Sequence, residues 1–196
     1  MVAEKQTSYE DIYAYMCSFY KMSIQSFDLI FNCSVFKALP AGTILDDSGD
    51  IPDKIYLIVK GVMRSYVRLE SGKEVTKSLF TPMTIIASFE ALLNKIPSES
   101  TYECLTDSEI YVLDFTKFKE LYKSNTEILG FYAKFLEALV CEKDKKYIEV
   151  LTMNATERYL NLRKIIPNID NLIPQYQIAK FLSITPVQLS RVRGKL

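Results

Sequence analysis

The side chains best suited to bind another molecule lie near the carboxyl end of the chain, in residues 175–196. This segment contains four lysine or arginine residues and no acidic residue. Amide, hydroxyl and guanidinium groups hydrogen-bond base edges, and basic side chains neutralise phosphates. The candidates for DNA contact are Gln175, Thr185, Gln188, Ser190, Arg191, Arg193 and Lys195. Their types and spacing predict a surface that binds double-stranded DNA.

Two short helices must position these groups. The apolar positions of both helices are Ile178, Ala179, Leu182, Ile184, Leu189 and Val192. Thr185 can cap the second helix, Pro186 suits its first position, and Gln188 stands where a capping box has Glu or Gln. Small Ala179 and Ser183 allow helix and turn to pack closely. The pattern predicts a helix-turn-helix whose second helix carries most of the DNA candidates.

The charge distribution agrees with a DNA-binding carboxyl end. The whole chain has 24 basic and 24 acidic residues, whereas the part from Thr152 onward is net +5 and the part before it net −5. Such asymmetry is typical of a DNA-docking tip on an acidic body. The alternative interpretation is a solvated helical hairpin that caps a small bundle.

Composition limits the other classes of function. With 196 residues and 48% hydrophobic content, the chain can form one large domain or two small ones. No apolar run is long enough to span a membrane, and the beginning MVAEKQTSYED lacks the features of a signal peptide. We therefore expect a cytoplasmic protein without a membrane partner.

The residues needed for metal or acid–base chemistry are scarce. The chain has no histidine, and its four cysteines are too widely spaced for a zinc or iron–sulfur site. Asp46, Asp47 and Asp50 form an acidic group, but their Asp/Gly context is typical of a solvated turn. We expect no cofactor, no metal and no enzymatic activity.

The middle of the chain, residues 34–115, is predicted to be rich in strands. Short β-branched and aromatic runs alternate with Gly, Pro and Asp. The clearest predicted strands are 55–59, 62–69, 75–80 and 110–115. Many short antiparallel strands in this length favour a small barrel, jelly roll or sandwich that can enclose one ligand.

Helices are predicted on both sides of this roll. An apolar stripe at helical spacing precedes it, and a long helix is expected at about 125–153. The stripe of the long helix comprises Leu129, Tyr132, Leu136, Val140, Tyr147 and Leu151. Because the roll alone cannot cover so long a stripe, we expect it to form the interface of a homodimer. The alternative is a helix folded back on its own roll.

A break at Asn154 separates the long helix from the C-terminal helices. Asn154 and Glu157 have capping-box spacing, so one helix should end and another begin there. The predicted fold class is α+β: an N-terminal antiparallel β-roll of jelly-roll type with flanking helices, a long dimerisation helix and a helix-turn-helix. The predicted domains are residues 1–123 for effector sensing, 124–153 for dimerisation and 154–196 for DNA binding.

This order of elements resembles the Crp/Fnr family of bacterial transcription regulators. Residues 55–80, IYLIVKGVMRSYVRLESGKEVTKSLF, are similar to that family's central β-roll, with Gly61 after a hydrophobic strand and SGKE at a hairpin. The resemblance implies a cyclic-nucleotide-binding-like roll, a DNA-reading role for Arg191, and RNA polymerase as a further partner. Pro186 and Val187 replace the Arg-Glu pair of the best-studied members, so the operator is expected to differ from theirs.

The effector pocket departs from that resemblance. Where cyclic-nucleotide binders carry a Gly-Glu pair and then an Arg-Ser pair, this chain has Ala87, Ser88 and then Glu99, Ser100. A buried cyclic phosphate requires a fixed cation, and Glu99 would repel it. The candidate pocket residues are Ile86, Ala87, Ser88, Glu90, Ser98, Glu99, Ser100, Thr101 and Lys143. Cyclic AMP is therefore not the expected effector.

Three interpretations of the pocket remain open, in this order. It binds a different molecule, neutral or cationic; it is occluded by Ile85, Ile86 and Phe89, so that protein abundance regulates the system; or Lys143 restores phosphate binding. The expected function is a dimeric, sequence-specific transcription regulator controlled by an unknown small effector. The alternative is a ligand-binding signalling or scaffold subunit whose C-terminal helices bind protein.

Overall fold

The computed structural model describes residues 7–194, in which a β-roll is covered by helices on one side and by a C-terminal helical unit on another. The strands are β1 Ser34–Leu39, β2 Ile44–Asp46, β3 Lys54–Lys60, β4 Met63–Arg68, β5 Glu74–Phe80, β6 Thr84–Ile86, β7 Thr101–Cys104 and β8 Ser108–Asp114. They form two antiparallel four-stranded sheets with the orders β1-β8-β3-β6 and β2-β7-β4-β5. The predicted fold class is confirmed.

The helices divide into those that pack on the roll and those that follow it. The first group is α1 Tyr9–Phe19, α2 Ile24–Asn32, α3 Phe89–Asn94, α4 Phe115–Ser124 and α5 Thr126–Thr152. The second group is α6 Ala155–Ile165, α7 Ile169–Leu172, α8 Gln175–Phe181 and α9 Pro186–Arg193. The long helix predicted at 125–153 and the break at Asn154 are both confirmed.

Strand alternation separates two cores in the N-terminal part. On β3, Ile55 and Val59 face the helices, whereas Tyr56 and Ile58 face the interior of the roll. Successive side chains of a strand point to opposite faces, so one strand serves both cores. The first half of α5 completes the helical core through Ile128 and other buried residues. The roll and the long helix are thus fixed to each other by apolar burial.

A third core joins the C-terminal helices to the roll. Tyr159, Ile178, Leu182 and Leu189 are fully buried in it, and Val62, just before β4, packs into the same cluster. Apolar surface removed from water stabilises such a contact by roughly 25 cal/mol per Å². The C-terminal helices therefore rest on the roll in this conformation instead of extending freely from α5.

Gly61 shapes the turn between β3 and β4, and its replacement should destabilise the protein. Its φ is +92°, and an added Cβ would lie 2.6 Å from the carbonyl oxygen of Asp107. Left-handed strain alone costs about 1–3 kcal/mol for a residue other than glycine. Gly49 has a φ of +97° with nothing within 4 Å of its Cβ position. In urea unfolding, Gly61→Ala should lose more stability than Gly49→Ala; equal losses would contradict the steric account.

Candidate functional site

The start of α9 is fixed by reciprocal hydrogen bonds. The Thr185 hydroxyl accepts from the backbone N–H of Gln188 at 3.1 Å, and the Gln188 side-chain oxygen accepts from the Thr185 backbone N–H at 2.8 Å. Pro186 occupies the first helical position. The capping box predicted from the sequence is confirmed. It also engages the carbonyl end of the Gln188 side chain, which leaves the amide nitrogen as the freer end of that group for a base edge.

The other DNA candidates differ in how freely they are presented. Ser190 and Arg191 are exposed on α9, while Leu189, which directly precedes them, is fully buried. Gln175 is exposed at the start of α8. The predicted contact at Lys195 lies outside the described residues. Among the candidates in residues 7–194, Arg191 offers a charged, solvent-facing group on the second helix of the motif.

Arg193 is held by its own chain and is less free than the sequence indicated. Its Nε lies 3.6 Å from Asp170 Oδ1, and Arg163 approaches the other oxygen of that carboxylate at the same distance. Tyr159 donates to both oxygens of Asp170, at 2.9 and 2.8 Å. Asp170 thereby connects α6, α7 and α9. Arg193 helps to fix the orientation of α9 through this contact.

An ionic network connects the C-terminal helices to the roll. Lys180 on α8 donates to Glu74 Oε2 at 2.9 Å, and Arg64 donates to the same oxygen at 2.8 Å and to Glu103 at 2.7 Å. Arg64 is 4% exposed. Burial raises the pKa of Glu74, but the hydrogen bonds from Lys180 and Arg64 outweigh it and lower this pKa below its ordinary value. The network therefore couples the inner strands of the roll to the helix-turn-helix.

A cavity of about 430 Å³ occupies the predicted effector site between the second sheet, α3 and α5. Seven of the nine predicted residues line it: Ile86, Ala87, Ser88, Glu90, Glu99, Ser100 and Lys143. Ile85 and Phe89 also lie on its wall and leave this space open. Side chains from the roll and from the long helix thus meet around one cavity.

Two predicted pocket residues turn away from the cavity. The Thr101 hydroxyl donates to Asp47 on the opposite side of β7, and the buried Ser98 hydroxyl contacts Ser88 and donates to the backbone oxygen of Ser100. Strand alternation explains Thr101, because its neighbours Ser100 and Tyr102 face the cavity instead. Neither residue is among those that line this cavity.

Lys77 is a pocket cation that the sequence analysis missed. Its ammonium group donates to the Ser100 hydroxyl at 2.8 Å. The pKa of Lys77 is lowered, mainly because the ammonium group is withdrawn from water and secondly because Lys143 repels it. The residue as a whole is nevertheless exposed. The register between β4 and β5 pairs Ser65 with Ser78 and Tyr66 with Thr76, so Lys77 is an extra residue. Such a β-bulge redirects a side chain, which simple alternation does not predict.

The second half of α5 exposes the apolar stripe assigned to a dimer. Val140, Tyr147 and Leu151 are 68%, 64% and 66% exposed, and Leu129 is 46% exposed. Leu136 is partly covered by the helical core. Tyr132 is an exception: it is buried against Phe118 and Tyr122 of its own chain, which removes it from the predicted interface.

Comparison with known proteins identifies the class of the roll. Residues 36–125 match the model of the cyclic nucleotide-binding domain family. A comparison with curated proteins gave no match. In residues 7–194, no helix has the length and apolar character required to cross a membrane.

Solved structures of bacterial regulators share the fold over most of the chain. FixK2 from Bradyrhizobium japonicum has a TM-score of 0.68 at 15% identity, covering 83% of this chain and 84% of its own. The c-di-GMP-responsive global regulator CLP of Xanthomonas campestris has a TM-score of 0.68 at 12% identity, covering 88% and 91%. A Thermus thermophilus catabolite activator protein has a TM-score of 0.57 at 20% identity, covering 91% and 85%. These TM-scores establish a shared fold over most of the chain.

Proposed function

We propose that the protein is a non-enzymatic, dimeric transcription regulator of the Crp/Fnr type that binds specific DNA sequences. Residues 1–123 sense an effector, 124–153 dimerise and 154–196 bind DNA. The observation that carries this proposal is α9: its start is fixed by a capping box and its solvent face presents Ser190 and Arg191. A helix held in this way presents side chains to a major groove at little entropic cost.

The symmetry of a dimer sets the form of the target. Two α9 helices that enter successive major grooves must lie about 34 Å apart, one turn of B-DNA. A two-fold axis between the α5 helices relates the two half-sites, so the operator is a near-palindrome. RNA polymerase is a further partner in this proposal, because a regulator bound to DNA next to the polymerase acts on transcription.

The effector is a small molecule other than cyclic AMP. Glu99 lines the pocket, and its carboxylate would repel a buried cyclic phosphate, which requires a fixed cation. The pocket nevertheless contains Lys77 and Lys143 together with Glu90 and Glu99. This pattern favours a ligand with an anionic group facing the two lysines and hydrogen-bond donors facing the carboxylates. Because Lys143 belongs to α5, such a ligand acts directly on the long helix and the hinge.

Selection of bound duplexes from a random DNA pool tests the proposal. The purified full chain is used first alone and then with a metabolite extract. Enrichment of a two-fold symmetric motif is the expected result, and its dependence on the extract shows whether an effector is needed. Absence of enrichment in both cases would contradict the proposal and favour a signalling or scaffold subunit that binds protein.

Arg191 should contribute mainly to sequence-specific binding. Arg191→Ala should weaken binding to the selected operator by about 1–3 kcal/mol while changing binding to unrelated DNA much less, because a base contact is lost. Lys195→Ala should weaken all duplexes similarly if it contacts only phosphate. Titration at two salt concentrations separates these effects, with Arg68→Ala on the roll as the control. Operator binding of Arg191→Ala equal to that of the unchanged protein would show that α9 is docked differently.

A further inference from the structure

A second cavity lies at the hinge, between β5, the end of α5, α6 and α8. We call it the hinge cleft; its volume is about 270 Å³. It is bounded by Leu79 on the roll, Lys146 on α5, Arg158 and Ile165 on α6, and Phe181 on α8. The cleft shares Lys143 with the effector pocket but extends in the opposite direction along α5. The roll, the long helix and two of the C-terminal helices therefore all contribute to it.

Cations outnumber carboxylates in the hinge cleft. Its charged residues are Lys143, Lys145, Lys146 and Arg158, against Glu142 and Glu149. Glu149 is already engaged, since it accepts from Asn161 at 2.9 Å and lies 3.8 Å from the Lys146 ammonium. The cleft thus has a surplus of two positive charges in a partly enclosed space.

Arg158, which lines this cleft, has a hydrogen-bond donor without a partner in the described part of the chain. Its Nε is buried and has no hydrogen-bond partner among residues 7–194. Arginine cannot lose its charge in proteins, and a buried donor without a partner costs free energy. An acceptor supplied from outside the described chain would remove that cost.

Lys146 is a second cation of the hinge cleft. It lies 4.2 Å above the ring of Phe181. Burial lowers the pKa of Lys146 and the neighbouring Arg158 lowers it further, against the opposing effect of Glu149. Two cations on different helices, Lys146 and Arg158, therefore line the same cleft, and the Glu149 carboxylate interacts with both Lys146 and Asn161.

We propose that the hinge cleft binds a small ligand carrying a phosphate monoester, with Arg158 and Lys146 contacting the phosphate. A phosphate monoester carries about two negative charges at neutral pH, which matches the surplus of the cleft. Guanidinium groups bind phosphate through paired hydrogen bonds. The apolar wall formed by Leu79, Ile165 and Phe181 suits an uncharged organic remainder. The bound ligand connects α5 with α6, so it stabilises this orientation of the helix-turn-helix independently of the effector pocket.

Calorimetric titration of the full chain with phenyl phosphate tests this site. Phenyl phosphate combines the monoester with an apolar ring, and phenol is the uncharged control probe. We expect saturable binding of phenyl phosphate and none of phenol. Arg158→Gln and Lys146→Gln should each weaken binding about tenfold or more, as expected for loss of a charge-assisted hydrogen bond. Lys164→Gln, an exposed change on α6 outside the cleft, should leave affinity unchanged.

Three results would overturn the proposal: no binding of phenyl phosphate, equal affinity for phenol, or unchanged affinity in both cleft variants. Loss of binding in Lys77→Gln, with Arg158→Gln unaffected, would place the phosphate in the effector pocket instead. Thermal unfolding checks each variant, and Lys145→Gln with Lys146→Gln carries the test if Arg158→Gln does not fold. The titration contains no DNA, so its failure is distinct from failure of the proposed regulator function.

Discussion

Replacing Arg64 with methionine should lower the free energy of unfolding by about 3–5 kcal/mol, the usual cost of breaking a buried ion pair. Arg64 is 4% exposed and donates to both Glu74 and Glu103. Methionine fills much of the volume but leaves the two carboxylates facing each other without their shared cation. Urea unfolding at pH 7 measures the effect. Arg68→Met, an exposed change at the end of the same strand, should remain within about 0.5 kcal/mol of the unchanged protein.

The pH dependence of this loss has a defined sign. The pKa of Glu74 is lowered from its ordinary 4.5 in the folded chain, so the stability that it contributes is present above that value and lost as the pH falls through the folded pKa. In Arg64→Met, protonation of Glu74 relieves its repulsion with Glu103. The difference in stability between the variant and the unchanged protein should therefore shrink as the pH falls below the ordinary pKa of Glu74, 4.5. A difference that stays constant down to pH 3 would contradict the ionic origin.

A compensated variant separates charge from packing. Adding Glu74→Gln and Glu103→Gln to Arg64→Met removes the unpaired carboxylates, and replacement of a whole buried ionic group is often tolerated. We expect this triple variant to recover much of the lost stability. Because Lys180 would lose its partner Glu74, the same variant should loosen the contact between α8 and the roll. Protection of α8 amides from hydrogen exchange measures that loosening.

Features determined by neighbouring residues could be predicted from the sequence. The capping boxes at Asn154 and Thr185 depend on contacts within three residues, and both are present. The long helix, the roll and the turn at Gly61 likewise follow from local periodicity and from the conformational freedom of glycine. For the same reason, the fold class could be predicted correctly from this sequence alone.

Features that depend on distant pairing could not be predicted. Lys180 and Glu74 are 106 positions apart, so nothing local indicates that they meet. Lys77 enters the pocket only because of a β-bulge, and Thr101 points to the other face of β7 from Ser100 and Tyr102, towards Asp47. The sequence alone predicts an Arg193 side chain that is free to contact DNA, whereas in the structure Asp170 lies beside it. The sequence therefore predicted the helices and strands that carry the candidate site better than it predicted the individual residues of that site.

The apolar stripe of α5 gives the prediction with the largest effect on DNA binding. Tyr147 and Leu151 are more than half exposed, and neither lines the effector pocket nor the hinge cleft. Glutamate at these two positions introduces like charges across a two-fold axis, which disfavours the dimer without disturbing the core of one chain. Tyr147→Glu/Leu151→Glu should therefore be monomeric at micromolar concentration in sedimentation velocity.

Loss of the dimer should reduce operator affinity far more than loss of one side-chain contact. Two linked half-site contacts exceed the affinity of one by about 10²- to 10⁴-fold, and a monomer retains only the single contact. Ala138→Glu lies on the same helix outside the stripe and should leave both the dimer and operator binding intact. If the double variant were monomeric but still bound the palindrome with full affinity, each chain would read DNA independently, and the two-fold model would be wrong.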